Sequence, residues 1–321
     1  MKFLITGGVG FLGSHICEKY INEDKDNKVV CLDNFSNSNL FNIRALLNNK
    51  NFKLVNGDIR NKDLLEKLMP GVDVVIHLAA QIHVDKSIID PIETYETNVL
   101  GTLNVLEAAR THDAKRILIA STSEVYGPAK YVPMDEAHPL ESPHPYGASK
   151  IAADRMALAY NHTYNLGVDI IRCFNMYGPK QRDTGYGGAI SIFTKRALNN
   201  QPPIIFGDGS QTRDYMYIKD GVKAYDLVLK HQNGSQDRII NFGTATEISI
   251  LDLAKKIIKL SGKDFDPVFV SPRPGEVNRL YCNYDKAKNL YGFKPDYDLD
   301  TGLKEYIEWH KNHKAEEWVK G

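Results

Sequence analysis

Apolar positions fall into short runs that alternate with helix-spaced stretches. The segment "KFLITGGVGFLGSHICEKYI" opens with an apolar run from Phe3 to Ile5, passes through glycines, then repeats Phe11, Leu12, Ile16 and Tyr20 at helical spacing. It predicts a strand, a glycine turn and an amphipathic helix. Further apolar runs, "KVVCLDNF", "FKLVNGDIR" and "VDVVIHLAA", predict strands ending in Asp33, in Asp58 and in the small pair Ala79 and Ala80. A stretch from Arg116 to Ala120 predicts another strand, which empties into "STSEVYG". Strand and helix signals keep alternating, as in an α/β, doubly wound parallel sheet. From Asn175 the pattern loosens into Gly, Pro and basic residues around one helix, which predicts a smaller C-terminal lobe. The expected division is 1–174 for the sheet domain, with elements at about 214–242 returning to it. Residues 175–213 and 243–321 then form the lobe.

The strand, glycine loop and helix order gives the glycines mechanical roles. One permits the tight turn, one lets the backbone approach a pyrophosphate, and one lets helix pack on strand. The phosphates then meet the unpaired N–H groups at the helix N-terminus. Here the spacing is Gly7-x-x-Gly10-x-x-Gly13. Asp33, at the end of the second predicted strand, can accept hydrogen bonds from ribose hydroxyls and would repel a 2′-phosphate, which favours NAD over NADP in a Rossmann domain. Ala79 and Ala80 leave room for a flat ligand. In "ESPHPYGASKIAADRMALAY", Tyr146 and Lys150 stand four apart and project from one helix face. A cation one turn from a phenol favours phenolate, so Tyr146 is expected to titrate lower than a free tyrosine and to act as a base.

Forty basic and forty acidic residues cancel. No global field recruits nucleic acid or an acidic membrane, so small molecules or copies of the chain are the expected partners. Cys17, Cys31, Cys173 and Cys282 lack C-x-x-C spacing, as suits buried thiols in a reducing cytosol. His77, His83 and His144 show no metal-ligand spacing, and packing or hydrogen bonding is the better reading for them. No segment has signal-peptide or membrane-span character. The end, "KNHKAEEWVKG", reads as a solvated tail.

The motifs "TGGVGFLG", "CLDN", "GDIR", "HLAAQIHVDKS", "TNVLGTLNVLEAAR", "STSEVYG", "PYGASK", "RCFNMYGP", "FGDGSQTRDYMYIKD", "NFGT" and "RPGEVNRLYCNYDKAKNLYGFKP" span nearly the whole chain. Through them it resembles the extended short-chain dehydrogenase/reductases that act on nucleotide sugars. The resemblance implies a tightly held NAD that is regenerated in each cycle. Its expected contacts are Gly7, Gly10, Phe11, Leu12 and Gly13 in the first turn, then Asp33, Asn34, Asp58 and Ile59. Leu78, Ala79, Ala80, Asn98, Tyr146 and Lys150 complete the set. Tyr146 would take the proton of the sugar's 4-hydroxyl, with Thr122 and Lys150 in support. Arg213 and Arg273 would clamp the diphosphate through guanidinium forks. Asn175 would contact the sugar or the diphosphate, Glu276 the nucleotide ribose and His83 the sugar. Relatives dimerise through the helix after Tyr146 and the helix around "TNVLGTLNVLEAAR", so a homodimer is expected.

Glu124 separates the chemistries. Sugar 4-epimerases of this family generally carry small or apolar residues where Ser123 and Glu124 stand, because re-reducing a rotated 4-keto sugar requires no further base. Oxidation at carbon 4 acidifies the hydrogen at carbon 5, which a carboxylate in reach can remove as the 6-hydroxyl departs. "STSE" is similar to GDP-mannose 4,6-dehydratases. "STSEVYG" with "VPMDEAHPL" looks like UDP-N-acetylglucosamine 4,6-dehydratases of bacterial surface-sugar pathways, and "HVDKSI" resembles dTDP-glucose 4,6-dehydratases. The last group carries an aspartic acid where Ser123 stands, so either Glu124 shuttles the proton or Ser123 positions a water. The leading expectation is an NAD-dependent 4,6-dehydratase using UDP-N-acetylglucosamine or UDP-glucose, and the alternative is a UDP-sugar 4-epimerase. UDP-glucuronate decarboxylases also carry "TSEVYG", but "AQIHVDKS" resembles dehydratases. A non-catalytic dinucleotide sensor is the alternative from another class; such relatives usually lose the tyrosine or lysine that this chain keeps.

Overall fold

The computed structural model describes residues 1–185, 187–231, 238–273 and 276–313. The first half of the chain runs β1 (Lys2–Thr6), α1 (Phe11–Glu23), β2 (Lys28–Asp33), β3 (Phe52–Asn56), α2 (Lys62–Leu68) and β4 (Val74–His77). It continues through α3 (Val84–Ile89), α4 (Pro91–Tyr95), α5 (Gly101–Thr111), β5 (Arg116–Thr122), α6 (Pro145–Tyr164) and β6 (Val168–Cys173). Then follow β7 (Asn175–Tyr177), α7 (Ala189–Leu198), β8 (Ile204–Phe206), β9 (Thr212–Tyr217), α8 (Ile218–Lys230) and β10 (Ile239–Phe242). The described chain closes with β11 (Glu247–Ser249), α9 (Ile250–Leu260), β12 (Val268–Val270), β13 (Arg279–Leu280), α10 (Asp285–Tyr291) and α11 (Leu299–Asn312). From residue 314 the expected tail lies outside the described residues.

Seven strands form a parallel sheet in the order β10-β6-β5-β4-β1-β2-β3. The chain winds outward from β1 in one direction and from β4 in the other. The order therefore reverses between these two strands, where α/β sheets open a crevice at their carboxyl ends. Helices cover both faces, so the strands are apolar on both sides. Phe3 and Ile5 pack into one core with Ile16, Tyr20 and Tyr225, while Leu4 points into the other with Val75, Ile117 and Ile119. A third cluster of Val125, Tyr126, Met134, Phe174, Val277, Leu280 and Cys282 ties the loop after β5 to the lobe.

The lobe carries a second sheet, β11-β9-β13 with β7 beside β9, and a β12-β8 pair. The return expected at about 214 can be placed more closely. Asp214–Tyr217 lie in β9, which pairs with β7, β11 and β13, so the chain rejoins the first domain at Ile218 through α8. Helix α8 packs on α1, β5 and β6, and β10 then joins the large sheet beside β6. "YMYIKD" reads as one apolar run, and only strand pairing divides it. Two expected strand ends also move: β3 stops at Asn56 and β4 at His77, leaving Asp58, Ala79 and Ala80 in the loops beyond. Among the described residues, no helix is long and apolar enough to cross a membrane.

Candidate active site

A cavity of about 680 Å³ opens at the carboxyl ends of the strands. Gly7 sits at φ +69°, and a Cβ there would lie 2.7 Å from the Ala79 nitrogen. A Cβ on Gly13 would come within 2.2 Å of the Gly7 carbonyl oxygen, so the start of α1 packs directly on the turn. At Gly10 a Cβ would meet only that oxygen, at 3.1 Å, and Gly10 itself lines the cavity. Gly10 also caps α1 without a side-chain hydrogen bond. The three glycine roles of a pyrophosphate cradle are thus all present, and the residues fit a dinucleotide.

Asp33 is almost fully buried at the end of β2. Its carboxylate accepts from the Val9 N–H at 2.9 Å, the Phe35 N–H at 2.9 Å and the Ser38 hydroxyl at 2.8 Å. It therefore braces the glycine turn as well as facing the cavity. Ser38 carries no motif signal and was not expected here. Asp58 is held by Arg60 through two hydrogen bonds, of 3.0 and 2.8 Å, and by Asn34 at 2.8 Å. The Arg60 pairing pulls its carboxyl down to about 2. Phe11, Leu12, Asn34, Asp58, Ile59, Leu78, Ala79, Ala80 and His83 all line the cavity.

Asn98 does not line it. This residue sits in a single π turn, Glu96–Leu100, that precedes α5. Its amide accepts from the Gln81 N–H at 2.8 Å and donates to the Gln81 carbonyl and the Ser149 hydroxyl, both at 2.9 Å. Asn98 thus fixes the loop after β4 against α6.

The chemistry gathers where β5 meets α6. Helix α6 begins at Pro145, whose fixed φ suits a first helical position, and its first turns place Tyr146 and Lys150 on the cavity wall with Thr122, Ser123 and Glu124. The Tyr146 phenol is hydrogen-bonded to Thr122. Burial pushes that phenol well above the ordinary tyrosine range, the Thr122 bond opposes the shift, and the Glu124 and Asp154 carboxylates add to it. The expected depression by Lys150 is therefore not produced by the protein's own groups. The Lys150 ammonium instead donates to the Ala120 carbonyl at 2.6 Å, and its own burial lowers its pKa. Desolvation outweighs the spacing of the two side chains.

Glu124 is partly exposed to this cavity, and its Oε2 lies 3.2 Å from His144 Nε2. The Glu124 N–H donates to the Thr122 hydroxyl at 3.2 Å. His77 is fully buried between the hydroxyls of Thr6, at 2.7 Å, and Thr102, at 3.0 Å. Among the described residues, no group of three or more His, Cys, Asp or Glu side chains is placed to hold a metal ion.

A second cavity, of about 240 Å³, brings together Arg213, Arg273, Glu276 and Asn175. It shares Asn175, Met176, Gln181 and Gly188 with the first. Arg213 Nη2 lies 3.9 Å from Glu276 Oε1, and the Arg273 guanidinium stacks 3.9 Å over the Phe206 ring. Gly188 opens α7 without a side-chain cap, so a second helix N-terminus points at the site. At the junction, Asn175 Nδ2 and Gln181 Oε1 are buried with no hydrogen-bond partner among the described residues. Burying such groups costs free energy unless a ligand answers them. Gln181 and Gly188 gave no sequence signal, since neither belongs to a periodic pattern.

The family model described as GDP-mannose 4,6 dehydratase matches residues 4–306. A Methanocaldococcus jannaschii protein, provisionally named a UDP-glucose 4-epimerase, is 43% identical over 97% of this chain and 98% of its own. The Thermotoga maritima UDP-glucose 4-epimerase, solved with UDP-glucose, superposes with a TM-score of 0.92 at 32% identity, covering 97% of this chain and 99% of that one. The dTDP-glucose 4,6-dehydratase of Streptomyces venezuelae, solved with NAD, gives a TM-score of 0.91 at 32% identity over 98% of both chains.

Proposed function

Because the chain belongs to the NAD-dependent nucleotide-sugar dehydratase and epimerase family, on the extended short-chain dehydrogenase/reductase fold, we propose that it is a 4,6-dehydratase acting on UDP-glucose or UDP-N-acetylglucosamine. The observation that carries this reading is Glu124, a carboxylate facing the same cavity as Thr122, Tyr146 and Lys150.

NAD, when bound, would accept the hydride from carbon 4 and return it to carbon 6 once water has left, with a proton going to carbon 5, and its oxidised form would add a positive charge to the cavity. Tyr146, held by Thr122, receives the proton of the sugar's 4-hydroxyl. Glu124 then takes the proton from carbon 5. The C5–H electron pair forms the C5=C6 bond, the C6–O bond breaks, and the proton held by Glu124 leaves with the 6-hydroxyl as water. Ser123 cannot supply that proton at neutral pH, so one carboxyl serves as base and then acid. Arg213, Arg273 and the N-terminus of α7 bind the diphosphate, and Asn175 with Gln181 offers a donor and an acceptor where the two cavities meet. The buried, unpaired cysteines support a reducing, cytoplasmic setting.

Incubation with the two UDP-sugars and mass spectrometry should show a product lighter by one water. Glu124→Gln should lower dehydration by about 100-fold or more, while oxidation at carbon 4 stays visible as enzyme-bound NADH absorbance. Dehydration that survives the substitution removes Glu124 from its role. The second reading is a UDP-sugar 4-epimerase, favoured by the 43% identical relative. Its signature is an unchanged mass with inverted carbon 4. Loss of carbon dioxide from UDP-glucuronate would instead mean a decarboxylase.

A further inference from the structure

We infer that His144 is the positioning residue that fixes the Glu124 carboxylate and couples it to the helix bearing Tyr146 and Lys150; this rests on the dehydratase reading. His144 is the N-cap of α6, a position that Ser, Thr, Asp or Asn usually fills. Its Nδ1 accepts the Gly147 N–H at 3.1 Å. That bond requires a lone pair on Nδ1, so the ring's proton sits on Nε2, which faces Glu124 Oε2 at 3.2 Å. The imidazole donates to one carboxylate oxygen, while Glu124 Oε1 has no partner among the described residues.

Three further features support the role. The His144 side chain is 3% exposed and does not line the cavity, so it reaches substrate chemistry only through Glu124. Its ring lies parallel to that of Tyr146, at 10° with centroids 6.1 Å apart, which makes the base, the cap and the phenol one packed unit. A second ring proton would set two N–H groups against each other at Nδ1. His144 therefore cannot take the proton from Glu124 without giving up the helix cap, and the proton stays on the carboxyl that must return it to the leaving oxygen.

His144→Ser separates the two functions, because serine retains a capping oxygen for Gly147 but is too short to reach Glu124. The test follows single turnover of UDP-glucose and UDP-N-acetylglucosamine. Oxidation at carbon 4 is read from bound NADH, and proton loss at carbon 5 from solvent deuterium exchange and water elimination. His144→Ser should slow exchange and elimination about 10- to 100-fold, the scale of a misplaced catalytic group, with carbon 4 oxidation within about 3-fold of wild type. Equal loss in both steps would make His144 merely structural and overturn the proposal, and so would no loss in either. If the wild-type enzyme inverts carbon 4 and eliminates no water from either sugar, the dehydratase reading itself fails and takes this role with it.

Discussion

His77 shows how far a single side chain departs from its sequence signal. A histidine in an apolar run suggested core packing, and the structure supplies the two hydroxyls that satisfy it. Thr102 donates to the Asn98 carbonyl at 2.6 Å, so it receives the His77 Nε2 proton, and Thr6 donates to Nδ1. Burial lowers His77 from 6.5 to about 3, and His15 falls to about 4 for the same main reason. Between pH 6.5 and 3 the unfolded chain binds a proton that folded His77 refuses. Stability is thus lost as pH falls through that window, by about 2 kcal/mol from pH 6.5 to 5 for His77. Asp214, raised to about 6 by burial, acts in the opposite sense between pH 6 and 3.8, as do Glu136 and Asp220, which burial also raises, whereas Asp58, Asp73 and Glu247, held down by cationic partners, act with the histidines. Urea denaturation at pH 7.5 and 5.0 should show this acid loss, and His77→Gln should reduce the difference. An unchanged slope would count against the histidine assignment. Residue chemistry of this kind was legible as type and not as partner: His77 and Thr102 come together through packing of β4 on α5.

At the scale of elements, the strand and helix that carry Thr122 and Lys150 are fastened from behind. Arg172 of β6 and Asp154 of α6 are each about 1% exposed or less. The guanidinium donates to Asp154 Oδ2 from Nε at 3.0 Å and Nη2 at 2.9 Å, and Ser121 of β5 donates to the same oxygen at 3.0 Å. Arg172 Nη1 reaches the Tyr126 hydroxyl at 3.1 Å, which in turn donates to Asn241 Oδ1 of β10 at 2.6 Å. One network therefore joins β5, β6, β10 and α6 directly beneath Thr122 and Lys150. Arg172→Met strands a buried carboxylate and should cost about 3–5 kcal/mol, with Arg172→Met/Asp154→Leu recovering most of it, since removing both charges also removes the desolvation penalty. Chemical denaturation of the two variants checks this. A double variant as unstable as the single one would mean that the pair contributes more than burial balance. The glycine turn, α1 and α6 were readable in sequence because each follows a local rule of period or cap. The bonds of Asn98 to Gln81 and Ser149 and the division of "YMYIKD" between β9 and α8 were not readable, because both depend on pairing with distant segments.

Over the whole molecule, an apolar surface lies on α3, α4 and the π turn. Ile88 is 52% exposed, Ile89 76%, Ile92 71% and Leu100 47%, and these helices pack beside α6. We propose a second copy of the chain as the occupant of this face. The exposed apolar residues adjoin α5 and α6, the helices expected to meet a two-fold partner. Burying it in a like patch satisfies closed two-fold symmetry. Light scattering coupled to size exclusion should give twice the chain mass. Ile89→Asp combined with Ile92→Asp should give a single chain mass, and a monomeric wild type would exclude the interface.

The sequence by itself determined the doubly wound sheet, the dinucleotide turn with Asp33, the Tyr146 and Lys150 pair and the acid beside them. Each is written in local terms: strand and helix periods, backbone freedom at glycine, and residue type at a strand's end. Tertiary structure alone decided what those groups experience. It buried Tyr146 so that desolvation raises its phenol, set His144 against Glu124 across twenty residues of chain, tied Asn98 to Gln81 and Ser149, and brought Asn175 and Gln181 to the junction of the two cavities. Electrostatic environment and hydrogen-bond partnership depend on which segments pack together, and no local window of sequence carries that information.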